Sequence, residues 1–151
     1  MNISEHITYD EAVYSSTAIK NGIENIPNAE QLSNMKLTAE KIFEPLRKGL
    51  GNTPIHIDSM FRSKELNTKI GGSITSQHMT GEALDLVFSG GNKIMFNYIV
   101  NNLEFDQLIW EFGDNKNPSW VHVSYSKTHN RKQELQSLKV NGQTVYKNFS
   151  N

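Results

Sequence analysis

Ser76-Gln77-His78-Met79-Thr80-Gly81-Glu82-Ala83-Leu84-Asp85 is the stretch whose reading decides the fold. It sets a histidine and an aspartate seven residues apart, with a glycine turn between them and a strand-like run after them. In the run Ala83 to Phe88, side-chain alternation points Leu84, Leu86 and Phe88 one way and Ala83, Asp85 and Val87 the other. Asp85 therefore lies opposite the bulkiest apolar side chains. Trp120-Val121-His122-Val123-Ser124-Tyr125 is a second strand-like run, with Trp120, His122 and Ser124 on one face. An unpaired carboxylate on a buried strand face is costly, and a divalent cation removes that cost. Two imidazoles and one carboxylate make a three-ligand zinc site whose fourth position is free for water, the feature that separates catalytic from structural zinc.

Working outward, Leu32, Met35, Ala39, Ile42, Phe43 and Leu46 recur at helical spacing and define one apolar face. Pro45 lies inside that pattern and predicts a kink or restart; Gly49 and Gly51 end it. Tyr9 to Val13 reads as a short helix, and Pro27-Asn28 breaks what precedes it. Ile55 to Phe61 has the β-branched content of a strand, and Ser63 to Asn67 that of a capped helical turn. Ile94 to about Asn101 predicts a helix, and Phe105 to Phe112 a strand. Asn141-Gly142 between alternating runs predicts a hairpin over about 137–147. The expected architecture is α+β, a small antiparallel sheet with flanking helices, in a single domain over 1–151 with its core at about 30–126.

Composition narrows the function classes. A chain of 151 residues suits one domain that buries roughly 68–70% of its unfolded surface. There is no cysteine, so thiolate zinc sites are excluded and nitrogen and oxygen must hold any metal. A net charge of −1 gives no electrostatic reason to expect nucleic acid as partner. No apolar run approaches the ~20 residues of a membrane span, so no membrane insertion is expected. Met1 to His6 shows neither a basic nor an apolar signal region, and the expectation is a chain without a signal peptide, cytoplasmic when made.

The pattern Ser76-x-His78-x6-Asp85, with Gly81 and Ala83 inside it, resembles the metal motif of the zinc D-alanyl-D-alanine carboxypeptidases and related peptidoglycan peptidases. Their fold is shared with the hedgehog signalling domain and the lysostaphin-type endopeptidases. Phe61-Arg62-Ser63, Leu66-Asn67, Gly71-Gly72-Ser73 and Phe105 to Glu111 also match family segments, so the resemblance runs from about Ile3 to Tyr125. It implies that His78, Asp85 and His122 bind Zn²⁺ in a cleft on the sheet. It implies that Arg62 holds a substrate carboxylate, since a guanidinium can donate two parallel hydrogen bonds. Ser76 and Gln77, flanking the first ligand, are expected at the substrate, and Trp120 shapes the pocket.

Two positions depart from the family pattern. Many carboxypeptidase relatives carry an acidic residue three positions before the last histidine, and here that position is Ser119. The hedgehog domain instead has its site glutamate at the end of the preceding strand, which Glu111 matches, so Glu111 is the expected general base and acid. Asp114, in the following loop, is the weaker candidate. Relatives often carry a histidine where Trp120 stands, and an indole cannot supply that charge. His56 is read as structural, and His6 and His129 as surface residues.

The resemblance implies a monomeric zinc metallopeptidase that cuts an amide of the peptidoglycan stem peptide. It would act on the cell wall after release or as a virion component, as phage lysins do. Two rivals stand beside it: a zinc-bearing peptidoglycan-binding or virion structural module with weak or no catalysis, and a metal-free α+β interaction domain.

Overall fold

The computed structural model describes residues 1–149. The chain opens with the two short antiparallel strands β1 (Asn2–Ser4) and β2 (Ile7–Thr8), then the helices α1 (Tyr9–Val13) and α2 (Ser16–Asn21). Helix α3 (Ala29–Thr38) starts at a capping box: Asn28 accepts from the Gln31 backbone while Gln31 accepts from Asn28. It runs through a π-helical turn, Ala39–Phe43, into α4 (Glu44–Gly49). That turn is how the chain accommodates Pro45. Glu44 N–H bonds back to Ala39 C=O across the wider π spacing, so the helix resumes without a break at the residue that cannot donate.

Next come β3 (His56–Ser59) and α5 (Lys64–Ile70), the latter capped by Ser63, and a 3-10 turn, Gln77–Thr80. The remaining elements are β4 (Ala83–Val87), α6 (Asn92–Asn102), β5 (Gln107–Glu111), β6 (Trp120–Ser124), β7 (Gln133–Val140) and β8 (Gln143–Asn148). The 3-10 turn and the β1–β2 pair carry no long apolar period, so they left no trace in the sequence pattern. No helix among the described residues is long and apolar enough to cross a membrane.

The fold is α+β, but the sheet is larger than expected and mixed. Its order is β3-β4-β6-β5-β7-β8, and β5 and β7 run parallel. The parallel pair arises because β6 returns antiparallel on the far side of β5. The chain then re-enters beside the start of β5, with Gln133 opposite Gln107. Asn141 and Gly142 turn β7 into β8 with φ of 51° and 79°, the left-handed pair a two-residue hairpin of this twist requires.

One face of the sheet is the core. Leu84, Leu86, Leu108, Trp110, Val121 and Val123 pack with Met35, Ile42, Phe43 and Leu46 of the long helix and with Met95, Phe96 and Ile99 of α6. Ile3, Ile7 and Ala12 join this cluster, so the core reaches into the N-terminal segment. Each fully buried aliphatic side chain contributes about 1.5–3 kcal/mol. The core face pins the register, because a one-residue slip would expose all of it. The opposite face, by parity, receives Asp85, His122, Ile109 and Glu111.

Candidate metal centre and its cleft

Strand register brings the distant candidates together. Asp85 is the cross-strand neighbour of His122, and His122 that of Ile109. His78 arrives from the 3-10 turn, whose first residues are organised by Ser76 accepting from His78 N–H. The turn ends at Gly81, whose φ of 82° is left-handed and whose added Cβ would lie 2.4 Å from the Gln31 carbonyl oxygen. Polar residues of α3 hold the turn in place. Gln31 donates to Met79 C=O at 3.0 Å, Asn34 to Thr80 C=O at 2.9 Å and Thr38 to Gly81 C=O at 3.2 Å.

His78, Asp85 and His122 are 2%, 8% and 9% exposed. Each offers one ligand atom, all within 4.8 Å of one another. His78 Nδ1–H donates to Met60 C=O at 2.7 Å, which leaves the Nε2 lone pair facing inward. That Nε2 is buried with no hydrogen-bond partner among the described residues, although Asp85 Oδ2 lies 3.2 Å away. His122 Nδ1 is 3.0 Å from Asp85 Oδ1, and the two imidazoles meet edge to face at 5.1 Å. Separations of this size suit donor atoms that share one tetrahedral cation with bonds of roughly 2.0–2.2 Å. Burial holds the His78 imidazole below its ordinary range, in the neutral form a metal requires. Burial alone would raise the Asp85 carboxyl. The two neighbouring imidazoles outweigh it and hold the group well below the usual carboxylate range. The donor set therefore fits a divalent ion: one ionised carboxylate, one neutral imidazole with an orphaned nitrogen, and a second imidazole beside them.

The three residues line a cleft of about 830 Å³ that also receives Arg62, Ser76, Gln77, Glu111 and Trp120. Arg62 donates to Ser59 Oγ at 3.2 Å, Asn67 Oδ1 at 3.0 Å and Asp85 Oδ2 at 3.4 Å. Two of its five N–H groups have no partner among the described residues. Gln77 reaches the cleft, but its amide donates to Asp106 at 2.9 Å. Glu111 is 7% exposed, and Ser137 Oγ donates to its Oε1 at 2.6 Å. Burial pushes the Glu111 carboxyl above its ordinary range, against that hydrogen bond and the charge of His122. Trp120 packs on Phe112 at 5.4 Å, and its buried indole N–H makes no hydrogen bond of normal geometry among the described residues.

The other candidates lie elsewhere. Asp114 caps its own loop by accepting from Lys116 and Asn117 N–H. His56 pairs with Asp58 at 3.0 Å on the surface, and His129 is exposed. His6 is exposed, as the sequence suggested, and its Nδ1 sits 2.6 Å from Glu44. Glu5, His6 and Glu44 form a second group of possible ligands, but Glu44 is already engaged by Ser4 and His6 as a tie between the β1–β2 hairpin and α4.

Sequence reasoning missed three contributors. Tyr146 lines the cleft from the C-terminal hairpin, and Ser137, buried on the neighbouring strand, bonds to Glu111. Arg131 reaches the cleft from the loop before β7 and, with Asp106, buttresses the wall beside Gln77. The Asn-Gly turn announced the hairpin; nothing local announced which strand it would join. Asp106 is 4% exposed and accepts from Gln77, from Arg131 N–H at 3.0 Å, and from Arg131 Nε and Nη2 at 2.9 and 3.0 Å. Burial of Asp106 is outweighed by these bonds, so its carboxyl falls below its ordinary 3.8. A depressed folded value contributes stability above the unfolded value and loses it as pH falls through the folded one. Asp106→Asn is expected to destabilise the protein by about 2 kcal/mol at pH 7. In urea denaturation the gap to wild type should hold above the ordinary 3.8 and narrow below it.

A family model described as Peptidase M15 matches residues 5–124. The match spans His78, Asp85, His122, Arg62 and Glu111 and stops before β7. Comparison with curated proteins gives no match.

Proposed function

The chain belongs to the peptidase M15 family, and from that premise we propose that it is a zinc-dependent peptidase that hydrolyses an amide bond of bacterial peptidoglycan stem peptides. The observation that carries this reading is the buried, unpartnered His78 Nε2 beside Asp85 and His122, on the floor of a cleft that also holds a buried glutamate. In this reading His78, Asp85 and His122 are the ligands. Zinc held there supplies Lewis acidity, bringing the pKa of a water toward ~7 and polarising the scissile carbonyl.

The protein's own groups do the rest. Glu111 takes a proton from the attacking water as the new C–O bond forms, and hands it to the leaving nitrogen as the C–N bond breaks. Ser137 holds one of its oxygens, so the other remains for the proton. A carboxyl raised by burial suits this shuttle, since proton transfer is most efficient when the pKa approaches the working pH. Arg62 directs the two N–H groups that have no partner among the described residues to a substrate carboxylate, and Ser76, Gln77 and Trp120 form the walls around it. Mass spectrometry of muropeptides from purified sacculi tests the function. Zinc-loaded protein should produce fragments enlarged by one water, and the product list identifies the bond. No products from protein that holds stoichiometric zinc would sink the proposal.

Arg62→Lys keeps the charge but loses the paired donors. We expect KM to rise about tenfold for a peptide with a free C-terminal carboxylate, roughly 1.4 kcal/mol. The effect should vanish for the amidated peptide, and an equal effect on both would remove the carboxylate role.

A second reading has its own support. Ser119 and Trp120 stand where many relatives carry an acid and a histidine, which favours a zinc-bearing wall-binding or virion module with little turnover. Retention on sacculi without release of new amines would select it. If the enzyme is lytic and of phage type, it should also clear suspensions of permeabilised cells.

A further inference from the structure

We infer that the β7–β8 hairpin is part of the catalytic apparatus, with Ser137 as the positioning residue that fixes the Glu111 carboxylate for proton transfer. The inference rests on the reading of Glu111 as general base. It begins from register: Glu111 is the neighbour of Trp120 on β6 and of Ser137 on β7, and Ser137 is the neighbour of Tyr146 on β8. One row on the cleft face of the sheet thus runs Trp120, Glu111, Ser137, Tyr146 across four strands.

Ser137 is 1% exposed, and its hydroxyl is used in both directions. It donates to Glu111 Oε1 at 2.6 Å and accepts from Phe112 N–H at 3.3 Å, while its own carbonyl accepts from the same N–H at 3.1 Å. Phe112 has φ of 52°, a left-handed conformation that a bulky residue adopts at a cost of about 1–2 kcal/mol. Ser137 therefore pins both the side chain of Glu111 and the strained peptide that follows it. The terminal torsion of a glutamate is broad, so without this charge-assisted bond the carboxylate is free to turn.

The hairpin is itself anchored. Phe149 stacks on Trp110 at 5.3 Å and meets Phe96 at 4.9 Å on the core side. The hairpin lies outside the residues matched by the family model.

The groups that face Glu111 are His122 from β6, Asp85 from β4, Arg62 from the segment after β3, Tyr146 from β8 and the Trp120 indole. None of these residues is itself substituted in the Ser137 variants. Three variants separate hydrogen bonding from shape: Ser137→Ala removes the hydroxyl, Ser137→Cys keeps the size with a weak donor, and Ser137→Thr keeps the hydroxyl. In zinc-loaded protein, Ser137→Ala and Ser137→Cys should lower kcat about ten- to a hundredfold, with KM and zinc content unchanged. The acid limb of their pH profiles should move upward, and Ser137→Thr should recover most of both effects. A second readout needs no turnover: the Glu111 carboxyl ¹³C resonance of the metal-free protein should titrate at higher pH in Ser137→Ala and Ser137→Cys than in wild type or Ser137→Thr. Unchanged kcat and pH profile in Ser137→Cys, or an unchanged Glu111 titration in both Ser137→Ala and Ser137→Cys, overturns the inference. If wild type cleaves no stem peptide yet the titration shifts as stated, the proposed function fails while the Ser137–Glu111 coupling stands.

Discussion

Glu111→Gln is expected to lower kcat by about 10²–10⁴-fold, the range a positioned general acid–base group supplies. Glutamine keeps the shape and can still accept from Ser137 Oγ, but it cannot take the water's proton. The substitution removes a charge that burial disfavours, so the metal-free protein should keep its melting temperature or gain slightly. Zinc content should not change, because Glu111 is not in the ligand set. The sign of the pH dependence follows from the raised carboxyl. Activity requires the ionised form, so wild-type kcat/KM should fall on the acid side as Glu111 is protonated, and in the metal-free protein that carboxyl should titrate above the ordinary glutamate 4.5. Glu111→Gln should lose that limb with the rate. Measuring kcat, metal-to-protein ratio and thermal unfolding on one preparation separates these effects; wild-type turnover in Glu111→Gln would return the base to another group.

Asp85→Ala should have the larger effect on the fold. Asp85 meets His78, His122 and Arg62 at 3.2, 3.0 and 3.4 Å, and the Arg62 side chain is itself only 14% exposed. Truncating Asp85 leaves a buried guanidinium without its counter-charge, a change that costs about 3–5 kcal/mol in comparable buried pairs. It also removes the anionic ligand. Wild type should gain about 4 kcal/mol of stability when free zinc exceeds Kd a thousandfold, while Asp85→Ala gains nothing. Urea denaturation with and without zinc, beside elemental analysis, reads both. Stoichiometric zinc in Asp85→Ala would exclude the carboxylate as a ligand. A chelator should abolish hydrolysis by wild type and return its stability to the metal-free value.

Much of this was legible along the chain because it depends on neighbours in sequence. Parity put Asp85 and His122 opposite Leu84, Leu86, Val121 and Val123, and the sheet keeps that division. The apolar period from Leu32 to Leu46 marked the long helix, although a single π turn rather than a kink accommodates Pro45. The polar residues of α3 were harder to interpret. Gln31, Asn34 and Thr38 carry no local signal of a role, yet they hold the turn that carries His78.

Other features have no local signature. An alternating strand has the same pattern whether its neighbour runs parallel or antiparallel, so the β5–β7 pairing was invisible, and with it the bond from Ser137 to Glu111. Arg62 carried a charge that fitted a substrate carboxylate; only folding revealed that Ser59, Asn67 and Asp85 engage three of its donors.

By itself the sequence determined the core face, the α+β character and the three candidate ligands, because side-chain period and donor chemistry are properties of the chain. Only the tertiary structure decided that His78 lacks a partner at Nε2 among the described residues, that Glu111 is buried, and that a C-terminal hairpin closes its side of the cleft. Those are properties of contacts between segments far apart in sequence, which hydrophobic burial and strand pairing bring together.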